Sequence, residues 1–302
     1  MNMIQELSEF ISAFDPKVVQ SGDNYTLLLP GFEPMPWSSP IKKKFLARRN
    51  PNERLYEETT TAAMAYFFER MKNSVLIDAG AQGGYFTTLA LSFQSKPIDT
   101  YAFEINPLVM SSFQSAVTLA QSRNRYCELM LSGLSDQHLG EKDIWVSVTK
   151  MFEHEPREED FRDPWYTKLK MSVRGRKDRD IPQKFRVMVT SIDHFCAERN
   201  IAPGIIKIDV DGYEAKVVPG AIQTLRRHKP IIFLELHKKK FIDRFGVTRN
   251  EIVAPLFDLG YKALLLDDHH NRACSIIPIT AQSQQIGREK TDMFIFYHES
   301  NF

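Results

Sequence analysis

Apolar positions run continuously at some places along the chain and at helical spacing at others. "VLIDAG", 75–80, is an unbroken apolar run that stops at an acid, and it predicts a buried strand. "GGYFTTLALSF" predicts a helix opened by glycine, and "IDTYAFEI" a second strand. "NPLVMSSFQSAVTLAQS" predicts a helix with Asn106 as N-cap and Pro107 in its first position. "YCELMLSGLSD" follows as a strand and its exit loop. Further on, "PGIIKIDVDGYE" is a strand, "EAKVVPGAIQTLRR" a helix, and "PIIFLELH" a strand. "RNEIVAPLFDLGYKALLLDD" reads as helix then strand, and "TDMFIFYH" as a final strand. Strands alternating with helices predict an α/β fold with a mostly parallel, doubly wound sheet.

Two parts depart from this rhythm. Residues 1–72 hold a short strand in "YTLLLP", a proline-rich loop, the basic stretch "IKKKFLARR" and a helical pattern over 54–72. They read as an N-terminal helical addition packing on a domain that runs from 73 to 302. Residues 141–190 are dense in charge and contain Pro156, Pro164 and Pro182, which reads as a mid-chain insertion carrying a short hairpin.

Composition narrows the partners. The 302 residues carry 39 basic and 38 acidic side chains, so no global charge points to nucleic acid or membrane. Cys127, Cys196 and Cys274 are too scattered for a disulfide framework or a zinc site, which favours a reducing, cytoplasmic setting. The first ten residues lack the pattern of a signal peptide, and no apolar run approaches the ~20 residues that span a bilayer.

In a doubly wound sheet, ligands bind beyond the C-terminal ends of the strands. The exits to weigh are Asp78, Glu104, residues 132–136, Asp209–Asp211 and Glu235–His237. The loop after the first strand offers Gly80, Gly83 and Gly84 in the order G-x-x-G-G. A dinucleotide site needs G-x-G-x-x-G, and Asp78 would face pyrophosphate charge. S-adenosylmethionine removes both objections, having an ammonium and a sulfonium but no phosphate. Asp78 suits its cationic end, and Glu104 stands where an acid meets two ribose hydroxyls.

The motifs "VLIDAGAQGGYF", "TYAFEINP", "LSGLSDQHLG", "TSIDHF", "IIKIDVDGYEAKVVPGA" and "IIFLELH" resemble the FkbM-type methyltransferases in order and spacing over about 75–265. Asp211 stands where that family usually has glutamate, and Gln82 where it has asparagine. The resemblance implies a Rossmann-like, methyltransferase-type fold and methyl transfer from S-adenosylmethionine to a hydroxyl of a sugar, glycan or natural product. It implies that Asp78, Gly80, Gly83, Gly84, Tyr85 and Glu104 line the cofactor. The Gly133–Asp136 loop would then lie near the adenine, with Ile105 against one ring face and Ser135 or Asp136 at the ring edge.

Methyl transfer to a hydroxyl needs alignment and a route for the proton. The candidates are Asp209, Asp211, Glu214, Glu235 and His237, with Asp209 as orienter and His237 as base. Alternation along a strand would put Asp209 and Asp211 on one face. A divalent metal such as magnesium on these carboxylates is the other route, with ligands the sequence does not assign. Lys168, Lys170, Arg174, Arg176, Lys177 and Arg179, with Trp145, Trp165 and Tyr166, would let the insertion receive an anionic or sugar acceptor. His269 and His270 read as part of a hairpin-like loop. The rival readings are a nicotinamide-dependent oxidoreductase and a non-catalytic binding protein of the same fold.

Overall fold

The computed structural model describes residues 3–21, 24–37, 57–147, 151–156, 182–269 and 274–301. The basic stretch 41–49, His270, Trp165, Tyr166 and the six basic residues from Lys168 to Arg179 lie outside them.

The described strands of the main sheet number eleven. At its centre lie β4 (Val75–Ala79), β5 (Asp99–Glu104) and β6 (Cys127–Leu134) on one side. On the other side of β4 lie β10 (Ile205–Ile208) and β11 (Ile231–Leu236). All five run parallel, and β10 pairs with both β4 and β11. The chain leaves β4 in one direction, through β5 and β6, and returns to its other side at β10. The crevice above β4 and β10 is therefore the topological switch point. Beyond β11 come β14 (Asp292–Tyr297), β12 (Lys262–Asp267) and β13 (Ser275–Ile279), with β14 antiparallel to both β11 and β12. The expected mostly parallel sheet is thus closed by a reversed final strand inserted before its predecessor.

The period of two along each strand sorts the core onto two faces. Leu76, Ile205, Ile231 and Phe233 face one cluster, into which α1 (Met3–Ala13), α2 (Glu58–Arg70) and α3 (Tyr85–Ser92) pack. Phe67 of α2 meets Phe233 edge-on, with ring centres 5.8 Å apart. Ile77, Ile206, Ile208 and Leu234 face the opposite cluster, where Phe195 of α5 (Ile192–Arg199) meets Phe103 at 4.9 Å. The N-terminal helix and the small sheet β1 (Lys17–Ser21), β2 (Asn24–Leu28) and β3 (Met35–Trp37) contribute Leu7, Leu27 and Met35 to the first cluster.

Three local expectations change. Pro219 interrupts the pattern after β10, giving α6 (Glu214–Val217), a single 3₁₀ turn and α7 (Ile222–His228). The helix at Asn106 starts as a 3₁₀ turn, Pro107–Phe113, before α4 (Gln114–Ser122), and Asn106 Oδ1 accepts from the Leu108 N–H at 2.9 Å. The ends of the charged insertion are strands of the main sheet. β7 (Gly140–Val146) pairs antiparallel with β9 (Gln183–Thr190), and β9 pairs parallel with β6. Ile144, Val146, Val187 and Val189 point inward, while Asp143 bridges Lys184 at 2.8 Å and Arg186 at 3.2 Å outside. Met151–Phe152 adds a short antiparallel β8 to this edge.

Candidate functional site

The loop after β4 is shaped by three left-handed positions: Gly80 at φ 80°, Gln82 at φ 48° and Gly84 at φ 76°. Gly83 is not among them. A Cβ on Gly80 would stand 1.8 Å from the Asp209 carbonyl oxygen, so glycine is what lets β4 and β10 exit side by side. Gly84 starts α3 and rests on the Phe113 ring. Tyr85 turns into the core, where its hydroxyl meets Thr61 Oγ1 at 2.9 Å.

Glu104 ends β5 beside this loop. Its Oε2 accepts the Gln82 N–H at 2.8 Å and its Oε1 the Asn106 N–H at 2.7 Å. Burial raises its pKa, and the two backbone donors oppose the rise. Each oxygen keeps a further lone pair. Ile105 packs over Gly133, where a Cβ would come within 2.7 Å of it. Ser135 Oγ donates to Asp136 Oδ1 at 3.0 Å, and Asp136 pairs with Lys216 at 2.8 Å, which holds its pKa low.

Asp78 is fully buried. Thr87 Oγ1 donates to its Oδ2 at 2.8 Å, and Lys207 Nζ lies 3.6 Å from its Oδ1. The carboxylate therefore faces a lysine, not open crevice. Lys207 belongs to the strand motif that carries the family resemblance, but no role is expected of it, because one polar residue in an isoleucine strand carries no periodic signal. It also stands 3.2 Å from Asp209 Oδ2. Burial opposes its charge, but Asp209 and Asp78 outweigh that and raise its pKa.

Asp209 and His237 do converge, as their exits from adjacent strands require, with Nε2 of His237 3.8 Å from Asp209 Oδ1. His237 Nδ1 is 3.0 Å from Glu214 Oε1, and Nε2 is 3.3 Å from Asp211 Oδ1. Burial works against an imidazolium here, yet Asp211 and Glu214 prevail and push its pKa up to about 11. Carboxylates at both ring nitrogens favour the imidazolium form, which disfavours the base role expected of His237. The shared face of Asp209 and Asp211 also fails. β10 ends at Ile208, Asp211 lies in a turn at φ 51°, and its side chain is 94% exposed.

Glu235 is buried on β11. Burial, Asp209 and Glu57 push its pKa up to about 10, so it enters neutral pH protonated and can donate to Asp209. Burial would raise the Asp209 pKa, but Lys207 and His237 carry it below the ordinary range. Glu57, just ahead of α2, and His269, just after β12, close on Glu235 from behind, though neither was singled out in sequence as a site residue. The β12–β13 hairpin holds, but His269 is buried in it, 3.8 Å from Glu235. Among the described residues two groups thus have metal-ligand potential, Asp209 with Glu235 and His237, and Glu57 with Glu235 and His269. Within each, the ligand atoms lie within 4.8 Å of one another.

A parallel central sheet with its final strand reversed and inserted, and acids at the strand exits of its switch point, defines a Rossmann-like protein of the methyltransferase type. The family model "Methyltransferase FkbM domain" matches residues 78–263, more than half of the chain. The chain belongs to the FkbM methyltransferase family.

None of the curated proteins matches it. Among solved structures, a methyltransferase FkbM from Methylobacillus flagellatus KT is 15% identical, with 86% of this chain and 60% of that one covered and a TM-score of 0.40. A precorrin-6y C5,15-methyltransferase from Geobacter metallireducens GS-15 is 11% identical, with 80% and 88% covered and a TM-score of 0.38. A SAM-dependent O-methyltransferase from Thermotoga maritima is 11% identical, with 93% and 76% covered and a TM-score of 0.35. The described residues contain no helix long and apolar enough to cross a membrane.

Proposed function

We propose that the protein transfers a methyl group from S-adenosylmethionine to a hydroxyl of a sugar, glycan or related polyol. The observation that carries this reading is the pair of acids at the two sides of the switch point, Glu104 at the end of β5 and Asp209 at the end of β10. The residues present fit the cofactor. Gly80 lets the loop pack directly against the Asp209 backbone, which brings the exits of β4 and β10 together, and Glu104 keeps lone pairs for two adjacent hydroxyls. Glu104 would hold the ribose, the 80–84 loop the methionine part, and Ile105 with Ser135 the adenine. Tyr85 and Asp136, already engaged elsewhere, are left out of this contact set. When bound, S-adenosylmethionine supplies an activated methyl on a sulfonium.

This chain's own residues then align the acceptor and take its proton. Asp209 is ionised, and its side chain is 25% exposed at the exit of β10. Lys207 and the protonated Glu235 hold it in place, and it takes the proton of the acceptor hydroxyl. His237 stays an imidazolium and offsets the negative charge of Asp209, Asp211 and Glu214. Magnesium held by Asp209, Glu235 and His237 is the alternative route. At the mouth, Asp211 offers an exposed carboxylate, and Phe241, 38% exposed, stands edge-on to His237 with ring centres 6.2 Å apart. An aromatic face beside a carboxylate suits a ring bearing several hydroxyls. The three free cysteines support the expected reducing, cytoplasmic setting.

The test is cofactor binding by calorimetry. Glu104→Ala is expected to weaken S-adenosylhomocysteine by about 1.5–3 kcal/mol, the scale of hydrogen bonds to a charged group. Unchanged affinity in a folded variant removes Glu104 from the ribose.

A further inference from the structure

Lys207 presents an energetic problem. It sits mid-sheet, 2% exposed, in a strand otherwise made of isoleucine, in register with Asp78 of β4 and Phe233 of β11. An unpaired ammonium there would cost several kcal/mol. Its ammonium donates to Asp209 Oδ2 at 3.2 Å and to the Gly80 carbonyl at 3.4 Å, and Asp78 Oδ1 at 3.6 Å is a third, purely ionic partner. Its Nζ also stands 5.1 Å from the Phe86 ring centre.

One acid would suffice to neutralise a buried lysine. The three partners here belong to different parts of the site. Asp78 is tied through Thr87 to α3, the helix that follows the glycine loop. Gly80 is the first residue of that loop. Asp209 is the acid at the mouth, and its other oxygen is left turned toward His237. His237 continues the network to Glu214 on α6, whose Oε1 accepts the Gly212 N–H at 3.1 Å.

We propose that Lys207 is a positioning residue that joins the cofactor loop to Asp209, so that the cofactor and the acceptor's proton acceptor are set by one ammonium. This rests on the cofactor reading above. A change at Asp209 is then felt in the loop even though the two are on different strands. Removing Lys207 together with the charge of Asp78 keeps the buried charge balanced while breaking the link.

The experiment is a mutant cycle read by calorimetry with S-adenosylhomocysteine. Asp209→Asn alone is expected to weaken binding about tenfold, the scale of coupling between residues in one network. In the Asp78→Asn/Lys207→Met background the same change is expected to alter affinity less than about twofold. An equal effect in both backgrounds, or none in either, overturns the proposal. If the Lys207 background does not fold, hydrogen exchange on ligand-free Asp209→Asn decides. Faster exchange confined to residues 80–84, with β12 and β14 unchanged, supports the link, and unchanged loop exchange refutes it. Wild-type protein that fails to bind S-adenosylhomocysteine sinks the cofactor reading instead, and the exchange measurement still decides on Lys207.

Discussion

Asp209→Asn lowers methyl transfer by about 10²–10⁴-fold, the range for loss of a proton acceptor in the transition state. Asparagine keeps the shape, but without the charge it holds Lys207 far less firmly and it cannot take a proton. The assay is transfer of labelled methyl to any sugar or polyol that supports turnover with the wild type. The pH profile is the companion readout. The Asp209 pKa is lowered, so activity is present above it and is lost only as pH falls below the ordinary carboxylate range. The His237 pKa is raised, so its ion pairs are in place at neutral pH and weaken only as pH rises towards about 11. Burial and the neighbouring Asp209 raise the Glu235 pKa well above the carboxylate range, so its proton too is in place at neutral pH. The rate should therefore be level between about pH 6 and 9. A rising limb near the ordinary histidine value of about 6.5 would restore His237 as base. Loss of activity with EDTA and recovery with magnesium would hand the proton to a metal-bound route.

Arg249→Met destabilises the fold by about 3–5 kcal/mol, measured by chemical denaturation, because it strips a buried ion pair of one partner. Arg249 opens α9 (Arg249–Asp258), with its side chain 2% exposed, and its Nη2 donates to Asp292 Oδ2 at 3.0 Å. Its Nη1 donates to the carbonyls of Arg288 and Lys290. Asp292 begins the reversed strand β14 and stands in register with Leu236, one residue before His237. The pair thus fixes the last strand at the place where β11 hands its side chains to the site. A loss under about 1 kcal/mol would mean that the C-terminal strand is held by its apolar face alone.

The site's outline was legible where sequence pattern and strand topology coincide. An acid ending an apolar run placed Asp78, Glu104 and Asp209 at strand exits, and the doubly wound order made the exits of β4, β10 and β11 neighbours. What those side chains do there was less legible. Asp78 was expected to meet the cofactor's cationic end, because nothing in "IIKIDV" says that its lysine folds back onto two acids. His237 was expected to be a base, because its charge state depends on Asp211 and Glu214, which reach it through a turn and a short helix. Glu57 and His269 are separated by more than two hundred positions and come together with Glu235 only in the folded sheet. The edge strands β7 and β9 were masked by their outer faces: lysine, arginine and aspartate alternate with Ile144, Val146, Val187 and Val189, and the charge hid the period of two.

The measurement that tests the account most directly is calorimetry of the wild-type protein with S-adenosylhomocysteine and with NAD under one set of conditions. Lys207 leaves Asp78 paired, so the discrimination falls to Asp209 at the switch point and to a loop in G-x-x-G-G order, neither of which suits a pyrophosphate. The account predicts saturable binding of S-adenosylhomocysteine and no heat from NAD. Saturable NAD binding with no heat from S-adenosylhomocysteine would contradict it.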